Sequence, residues 1–429
     1  MPEILDIFLS DRRIGTVTNL ANDRNIFEFD DDYSADPARP ILSLSFLDDA
    51  RNVVRPTAMP QTKLLPFFSN LLPEGHLRAY LADKAHVNAE RDFPLLWVLG
   101  EDLPGAVVAK HRHGAVMPPH DADLSAATEA ESNPTILRFS LAGVQLKFSA
   151  VLEADGGLTI PIRGQHGRWI LKMPSPTYKS VPENEYSMMT FAREVGIDVP
   201  EIHLVDPTTV RNIPPEVRTD LGQAFYIRRF DRDSEHRIHV EDFNQVFGQY
   251  PADKYKNVSY GNLLSNIWRV LGENQAREFV RRLIFNIGIG NADMHLKNWS
   301  VIYRDSRTPE LAPAYDYLST VVYIADDKLG LTLARTREWR RIDAELVTRF
   351  ARKAGVPRGI VLQSAREMVE RMRDLWPKIQ DRLVLPKEMT VRITDHMNGI
   401  PLFGARPSAG PTPAVSSVRP ATQSPTEIS

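Results

Sequence analysis

The chain has 429 residues, of which 42% are hydrophobic and 25% are charged, and its formal net charge is −3. This length predicts two or three folded units, and the weak net charge excludes nucleic-acid binding by bulk electrostatics, so a DNA contact would need a local patch or a partner. The absence of cysteine excludes disulfide scaffolds, thiolate metal sites and thiol nucleophiles.

The sequence shows no sign of membrane insertion or export. No segment approaches the roughly 18 uninterrupted apolar residues of a membrane span. The first residues, Met1 to Ile4, lack the basic and long apolar stretches of a signal peptide. We therefore expect a soluble, cytoplasmic protein without a membrane partner.

The first part of the chain predicts a small α+β unit. Apolar and polar residues alternate at three places, which predicts short strands at 4–9, 13–17 and 41–46. A helical pattern follows over 64–98, with a break at 71–75. We interpret residues 1–115 as an N-terminal α+β subdomain and the polar residues 116–134 as a linker.

The order of elements in the remaining chain predicts two lobes. Strands are predicted at 145–151, 158–160, 169–173, 201–205 and 224–229, with one helix at 183–195, and further helices at 260–272, 274–290, 343–354 and 358–382. We assign residues 135–240 to a sheet-containing lobe and 241–404 to a mainly helical lobe. This predicts an α+β, two-lobed architecture, and a cleft between two lobes is a common place for a nucleotide. The Pro- and Ser-rich tail, 405–429, is predicted to be disordered.

The strongest chemical signal lies at the junction between an apolar helix and a predicted strand at 299–303. Asp293 precedes Asn298 by five positions there. Phosphoryl transfer needs a carboxylate that orients the attacking hydroxyl and an oxygen that holds magnesium, and protein kinases use Asp and Asn at this spacing. We predict a catalytic role for Asp293; the alternative is a solvated loop.

Two further residues extend this constellation. Asp316 closes a predicted strand and has apolar neighbours on both sides. A buried carboxylate is costly without a partner, so Mg²⁺ shared with Asn298 would explain it; a strand-end cap is the alternative. Lys172 lies in an apolar strand, where a charge needs a partner, and we predict that it binds phosphate rather than snorkels to water. Glu185 or Glu183 could pair with it, or both could favour the helix N-terminus.

Two segments give weaker signals. Residues 139–147 precede Lys172, where a phosphate-covering loop is expected, but contain a single glycine. Residues 226–232 lie between the predicted lobes, where a kinase hinge would bind adenine through backbone hydrogen bonds. The alternative for this second segment is a strand end with surface charge.

The ordered set of these blocks resembles the HipA kinases of bacterial toxin–antitoxin modules over roughly residues 4–403. The blocks that carry the resemblance are 140–147, 170–174, 184–186, 229–232, 291–298 and 315–316. The resemblance implies a two-lobed, kinase-like fold related to lipid and protein kinases, with residues 135–240 as the nucleotide-binding lobe and 241–404 as the helical lobe with the catalytic loop. It also implies ATP and Mg²⁺ as cofactors and Asp293 as the catalytic base.

The resemblance also implies roles for individual residues. Lys172 would bind the ATP phosphates, and Asn298 and Asp316 would hold Mg²⁺. The remaining nucleotide contacts would come from the backbones of Arg228 and Phe230 at adenine, from Asp231 near the ribose, and from His295 and Lys297. Ser140 corresponds to the autophosphorylated serine whose modification switches such enzymes off. The predicted hinge differs from the family pattern at Arg228, a position that an acidic residue can occupy in the family.

The partners implied by the resemblance are macromolecules. They are a protein substrate with a target serine or threonine, notably an aminoacyl-tRNA synthetase, and a small helix-turn-helix antitoxin of the HipB type. Operator DNA would be contacted mainly through that antitoxin. Four arginines could assist, or could form an ordinary solvated face: Arg335, Arg337, Arg340 and Arg341.

Two other functions stay open at this point. One is a small-molecule phosphotransferase of the aminoglycoside-kinase type, which shares the Asp-to-Asn spacing; the N-terminal unit and the block around Ser140 argue against it. The other is a catalytically silent co-repressor subunit. That function gives no reason for the chain to keep Lys172, Asp293, Asn298 and Asp316 together.

Overall fold

The computed structural model of the chain describes residues 3–112, 146–153, 157–160, 167–215, 217–233 and 236–404. Ser140, the predicted linker 116–134 and the tail 405–429 lie outside the described residues. In the described part, no helix combines the length and the apolar character that crossing a bilayer requires.

The N-terminal unit is an antiparallel sheet covered by short helices. Four strands form the sheet in the order β3-β2-β1-β4. Their bounds are Glu3–Leu9 (β1), Arg12–Leu20 (β2), Arg24–Phe29 (β3) and Val107–His111 (β4). The helices are Asp31–Ala35 (α1), Pro66–Ser69 (α2), Gly75–Ala85 (α3) and Asp92–Leu99 (α4). One face of β1 is fully buried, as its alternating pattern predicts, and packs with Phe27, Phe68 and Phe93 in a core of this unit.

The strand predicted at residues 41–46 is wrong. This segment contains a 3₁₀ turn, Leu44–Phe46, capped by the Ser43 hydroxyl. Its apolar residues serve two cores: Ile41 belongs to the core of the C-terminal lobe, whereas Leu42 and Phe46 belong to that of the N-terminal unit. The alternation therefore reflects a chain that runs between two cores, and not a strand in a sheet.

The second part is a five-stranded antiparallel sheet with one long helix. The strand order is β6-β5-β7-β9-β8. The bounds are Lys147–Leu152 (β5), Leu158–Thr159 (β6), Trp169–Lys172 (β7), Ile202–Val205 (β8) and Ala224–Arg228 (β9). Helix α5, Val181–Glu194, packs on this sheet through Met188, Phe191 and Ala192, which are fully buried.

The C-terminal lobe is mainly helical and carries a small three-stranded sheet. The sheet has the order β10-β11-β12, with strands His239–Asp242 (β10), Ser300–Tyr303 (β11) and Glu310–Leu311 (β12). The helices are Phe243–Val246 (α6), Tyr260–Val270 (α7), Glu273–Ile289 (α8), Ala344–Ala354 (α9), Arg358–Ile379 (α10) and Lys387–Asn398 (α11). The strand predicted to close at Asp316 is shorter than expected: β12 ends at Leu311, and residues 312–316 belong to no strand of the described part.

Helix α8 delivers the chain to the predicted catalytic loop. Its C-terminal half is buried without interruption from Arg282 to Ile289. Gly290 ends the helix in the left-handed conformation (φ 69°), and a β-carbon there would lie 2.4 Å from Val321 Cγ2. Glycine is therefore required at the point where the backbone turns into the loop.

An ion-pair cluster joins the N-terminal unit to the end of β9. Asp231 is 6% exposed, and its carboxylate accepts from Arg229 Nε (2.9 Å), Arg232 Nη1 (2.8 Å) and the Gly105 N–H (2.8 Å). Burial alone would raise the pKa of Asp231, but the two guanidinium groups outweigh burial and lower it. The ionised carboxylate thus links the two parts of the chain.

We expect Asp231→Ala to destabilise the protein by about 3–5 kcal/mol, because the two buried guanidinium groups of Arg229 and Arg232 keep only the longer contacts to the more exposed Asp102 carboxylate. Chemical denaturation followed by circular dichroism measures this change. Asp220→Ala is the matched control, because Asp220 forms an exposed pair with Arg218 and its removal should change the denaturation midpoint little. Equal midpoints for wild type and Asp231→Ala would contradict the structural role of the cluster.

Candidate active site

A cleft of about 970 Å³ lies where the N-terminal unit, the five-stranded sheet and the C-terminal lobe meet. It brings together residues that are far apart in the sequence. The predicted nucleotide-site residues that line it are Lys172, Arg228, Phe230, Asp231, His295, Lys297, Asn298 and Asp316. Asp293 lies beside the cleft with 8% of its surface exposed.

Lys172 is the central charge of the cleft. It is 3% exposed, and its ammonium group contacts the carboxylates of Glu185 and Asp316. Burial alone would lower the pKa of Lys172, but the two carboxylates outweigh burial and raise it. Lys172 is therefore a permanent cation, and Glu185, not Glu183, is its partner on α5.

Asp316 occupies a strained backbone position at the mouth of this cluster. Its φ is 56°, in the left-handed region that non-glycine residues rarely adopt. Its second carboxylate oxygen lies 3.4 Å from Lys147 Nζ. Burial opposes ionisation, but Lys147 and Lys172 lower the pKa of Asp316, so it is a carboxylate at any physiological pH.

Asp293 is held by hydrogen bonds to two asparagines of its own loop and to one tyrosine outside it. Its backbone N–H donates to Asn291 Oδ1 (3.1 Å), and its carbonyl accepts from Asn298 Nδ2 (2.8 Å). The Tyr255 hydroxyl donates to its carboxylate oxygen Oδ1. Burial raises the pKa of Asp293 to about 6, although the Tyr255 hydroxyl and the Lys254 ammonium oppose the rise. Such a carboxylate is ionised at neutral pH and basic enough to accept a proton.

Asn298 presents the atom that a magnesium ion needs. Because its amide nitrogen is engaged by the Asp293 carbonyl, its remaining side-chain polar atom is the amide oxygen Oδ1. An amide oxygen and the ionised Asp316 carboxylate are hard oxygen donors of the kind that Mg²⁺ prefers when phosphate oxygens and water complete its coordination. The two residues therefore fit the predicted metal site.

His295 has polar atoms that the described residues leave unsatisfied. The ring is 2% exposed, and neither ring nitrogen has a hydrogen-bond partner in the described part of the chain. Burial lowers the pKa of His295 well below its ordinary value, so the imidazole is neutral. A buried donor without a partner is costly, and a phosphate oxygen of a bound nucleotide would satisfy it.

The predicted adenine-binding segment is partly engaged in protein contacts. The Arg228 N–H donates to the Glu201 carbonyl (2.8 Å), so only the carbonyl group of Arg228 is left for a base. The Phe230 ring packs against Tyr315, with ring centroids 5.6 Å apart. Asp231 lines the cleft, but its carboxylate already accepts hydrogen bonds from Arg229, Arg232 and the Gly105 N–H. The roles at adenine and ribose stay predictions.

Lys297 is held by the N-terminal unit. Its ammonium group lies 2.9 Å from the Asn70 carbonyl oxygen and 2.9 Å from Glu74 Oε1. The second Glu74 oxygen binds Lys254 Nζ, also at 2.9 Å. Burial would raise the pKa of Glu74, but the two lysines lower it to about 2.

Sequence reasoning missed four residues beside the predicted set: Glu74, Lys147, Lys254 and Tyr255. Lys147 stood in a motif block without an assigned role. Glu74 lay in the break between two predicted helices, and Lys254 and Tyr255 lie in a loop without a motif. The Pro-Glu-Gly sequence within a helical stretch does indicate a turn at Glu74. It gives no indication that Glu74 contacts Lys254 and Lys297.

We expect phosphoryl transfer to fall roughly tenfold per pH unit below about pH 6, because Asp293 then becomes protonated. The pKa of Asp316 is lowered by Lys147 and Lys172, and burial lowers the pKa of His295, so the pKa of neither group is shifted toward neutral pH. Initial rates at saturating Mg-ATP between pH 5 and 8 measure the profile. A rate that stays constant down to pH 5 would contradict a base with this pKa.

Replacing Glu185 with Gln should lower kcat by roughly 100-fold, because Lys172 loses one of the two carboxylates that fix its position. Glu183→Gln is the matched control on the same helix, since no ion pair between Glu183 and Lys172 is present in the described residues. Steady-state kinetics of the two variants and wild type decide the point. Equal losses in both variants would indicate a general effect on α5.

Comparison with known proteins places this chain in a family. Residues 139–376 match the HipA-like C-terminal domain, and residues 5–110 match the HipA N-terminal domain. The chain is 45% identical over 412 residues to the putative kinase Y4dM of Sinorhizobium fredii, and this alignment covers 94% of this chain and 99% of that protein. It is 25% identical over 347 residues to the serine/threonine-protein kinase toxin HipA of Shewanella oneidensis, and this alignment covers 71% of this chain and 75% of that toxin.

A solved structure supports the fold. In the complex of Shewanella oneidensis HipA with HipB and its operator DNA, the matched chain superposes with a TM-score of 0.71 and 21% sequence identity. The match covers 92% of this chain and 96% of that chain. The predicted two-lobed α+β architecture is thereby confirmed. With both domains matched and a close relative aligned along nearly its whole length, the chain belongs to the HipA kinase family.

Proposed function

We propose that this protein is an ATP- and Mg²⁺-dependent serine/threonine protein kinase that acts as the toxin of a toxin–antitoxin pair. The observation that carries the proposal is the assembly of Lys172, Asp293, Asn298 and Asp316 around one cleft, with Glu185 as the buried partner of the lysine. These are the groups that kinases use for phosphate binding, base catalysis and metal binding.

The chemistry follows from the charges of these residues. An acceptor hydroxyl would donate its proton to the Asp293 carboxylate as its oxygen forms a bond to the γ-phosphorus of ATP. The bond between that phosphorus and the bridging oxygen breaks, and ADP leaves. Lys172 would hold the phosphates, and His295 would donate a hydrogen bond. Bound Mg²⁺, held by Asn298 and Asp316, would neutralise negative charge on the phosphates.

The proposed regulation and partners rest on the family resemblance. Ser140 would be the autophosphorylated residue; it lies outside the described residues. The HipB-containing complex supports a HipB-like antitoxin as a partner of this chain, and an aminoacyl-tRNA synthetase is the proposed substrate. Arg335, Arg337, Arg340 and Arg341 are all exposed, which leaves them available to operator DNA or to solvent.

The wild-type protein should gain phosphate when it is incubated with Mg-ATP, and Asp293→Ala should not. Phosphatase pre-treatment followed by intact-mass spectrometry measures the gain, and peptide mapping locates it; we expect Ser140. Circular dichroism shows whether the variant keeps its fold. Expression without the antitoxin should slow growth for wild type and not for Asp293→Ala.

Equal phosphate gain in wild type and Asp293→Ala would contradict the proposed base. No gain in pre-treated wild type would favour a catalytically silent co-repressor. Phosphate transfer to an aminoglycoside but not to any protein would favour the small-molecule phosphotransferase.

A further inference from the structure

The carboxylate of Asp293 is fixed from one side by a tyrosine outside the catalytic loop. The Tyr255 hydroxyl donates to Asp293 Oδ1. His295 Nε2 lies 4.0 Å from the same oxygen, and the His295 ring packs edge-on against the Tyr255 ring with centroids 4.9 Å apart. Since this oxygen is engaged, Oδ2 is the oxygen that an acceptor hydroxyl would use.

The tyrosine itself is held in place at its neighbour Lys254. The Lys254 carbonyl accepts from the Leu296 N–H in the catalytic loop (3.2 Å). The Lys254 ammonium group binds Glu74 Oε2 at 2.9 Å, and its side chain is only 14% exposed. The backbone next to Tyr255 is therefore attached to the catalytic loop, and the side chain of Lys254 is attached to the N-terminal unit.

Glu74 carries this arrangement across the boundary between the two family domains. Its two oxygens bind Lys254 and Lys297, one on each side of Asp293 in the sequence. Hydrogen bonds that involve ionised groups contribute about twice the stabilisation of neutral ones. The N-terminal unit is thus attached to both segments that surround the catalytic carboxylate.

A second tyrosine shows what a purely structural contact looks like at the same loop. Tyr260 is fully buried, and its hydroxyl donates to the Met294 carbonyl (3.0 Å). This bond supports the backbone of the loop but does not touch a reacting group. Tyr255 differs because its hydroxyl contacts the carboxylate that would receive the proton.

We propose that Tyr255 is a positioning residue for Asp293, and that Glu74 of the N-terminal unit keeps it in place through Lys254. This inference rests on the proposed kinase function. The inference gives the N-terminal unit a part in catalysis, because this unit would help to keep Tyr255 and the catalytic loop in position around Asp293.

The test compares rates of phosphate incorporation into the dephosphorylated full-length chain over a range of Mg-ATP concentrations. Tyr255→Phe should lower the rate at saturating Mg-ATP by roughly ten- to a hundredfold, since one hydrogen bond to a charged group is lost and the carboxylate is misplaced. The half-saturating ATP concentration should stay within about twofold of wild type. Glu74→Gln should lower the saturating rate in the same direction.

Double variants separate positioning from general support of the loop. In the Asp293→Asn background, Tyr255→Phe should cause no further loss of the residual rate, because the carboxylate that it positions is gone. Tyr260→Phe is the matched control, and any loss that it causes should be the same in both backgrounds. Glu74→Gln should add little in the Tyr255→Phe background.

Three results would overturn the proposal: a wild-type rate for Tyr255→Phe, an increase confined to the half-saturating ATP concentration, or a loss that persists in the Asp293→Asn background. If wild type itself transfers no phosphate, the proposed function fails. Crystal structures of wild type and Tyr255→Phe then decide the positioning role separately: a displaced Asp293 carboxylate in the variant supports it, and an unmoved one overturns it.

Discussion

The ammonium group of Lys172 lies beneath the five-stranded sheet with almost no access to water, where an uncompensated charge would cost several kcal/mol. Its compensation comes from two places in the chain. Glu185 contacts it from helix α5, and Asp316 contacts it from the C-terminal lobe, 144 residues after Lys172 in the sequence. Because removing either carboxylate leaves charge unbalanced in a buried place, the sheet, the helix and the C-terminal lobe are held in one arrangement. The same arrangement forms the cleft.

The pattern of pKa values across the cleft separates the carboxylates by role. Asp316 is kept ionised by two lysines, as a cation ligand requires, whereas burial brings the pKa of Asp293 up to about 6. Two aspartates of the same candidate site thus differ in proton affinity because their neighbours differ. One suits metal binding and the other suits proton transfer.

The N-terminal unit contributes more than a separate core. Asp231 links it to the end of β9 through Gly105, Glu241 links it to β10 through the Ser43 hydroxyl and the Leu44 N–H, and Glu74 links it to the catalytic loop. All three links are carboxylates that receive donors across the boundary. The cleft is therefore built jointly by two family domains, which explains why the lining includes residues of both.

The sequence predicted four helices of the C-terminal lobe, α7 to α10, to within a few residues, because long amphipathic stretches have a strong period. It did not predict the short helix α6 or the helix α11. The sequence also indicated Lys172 and Asp316, because a charged residue among apolar neighbours can be recognised without a structure. It indicated Asp293 and Asn298 through their five-residue spacing. It could not choose between Glu183 and Glu185, since both lie on the first turns of α5. Glu74, Lys254 and Tyr255 were missed because their roles arise only from contacts between distant segments. A strand was wrongly predicted at 41–46 because the apolar residues of this segment pack into two different cores.

The most direct measurement of the central claim is a crystal structure of the protein with Mg²⁺ and a non-hydrolysable ATP analogue. The account predicts phosphates against Lys172 and His295, a metal ion bound by Asn298 Oδ1 and the Asp316 carboxylate, and Glu185 still in contact with Lys172. A nucleotide bound outside this cleft, or a metal ion held by other residues, would contradict it.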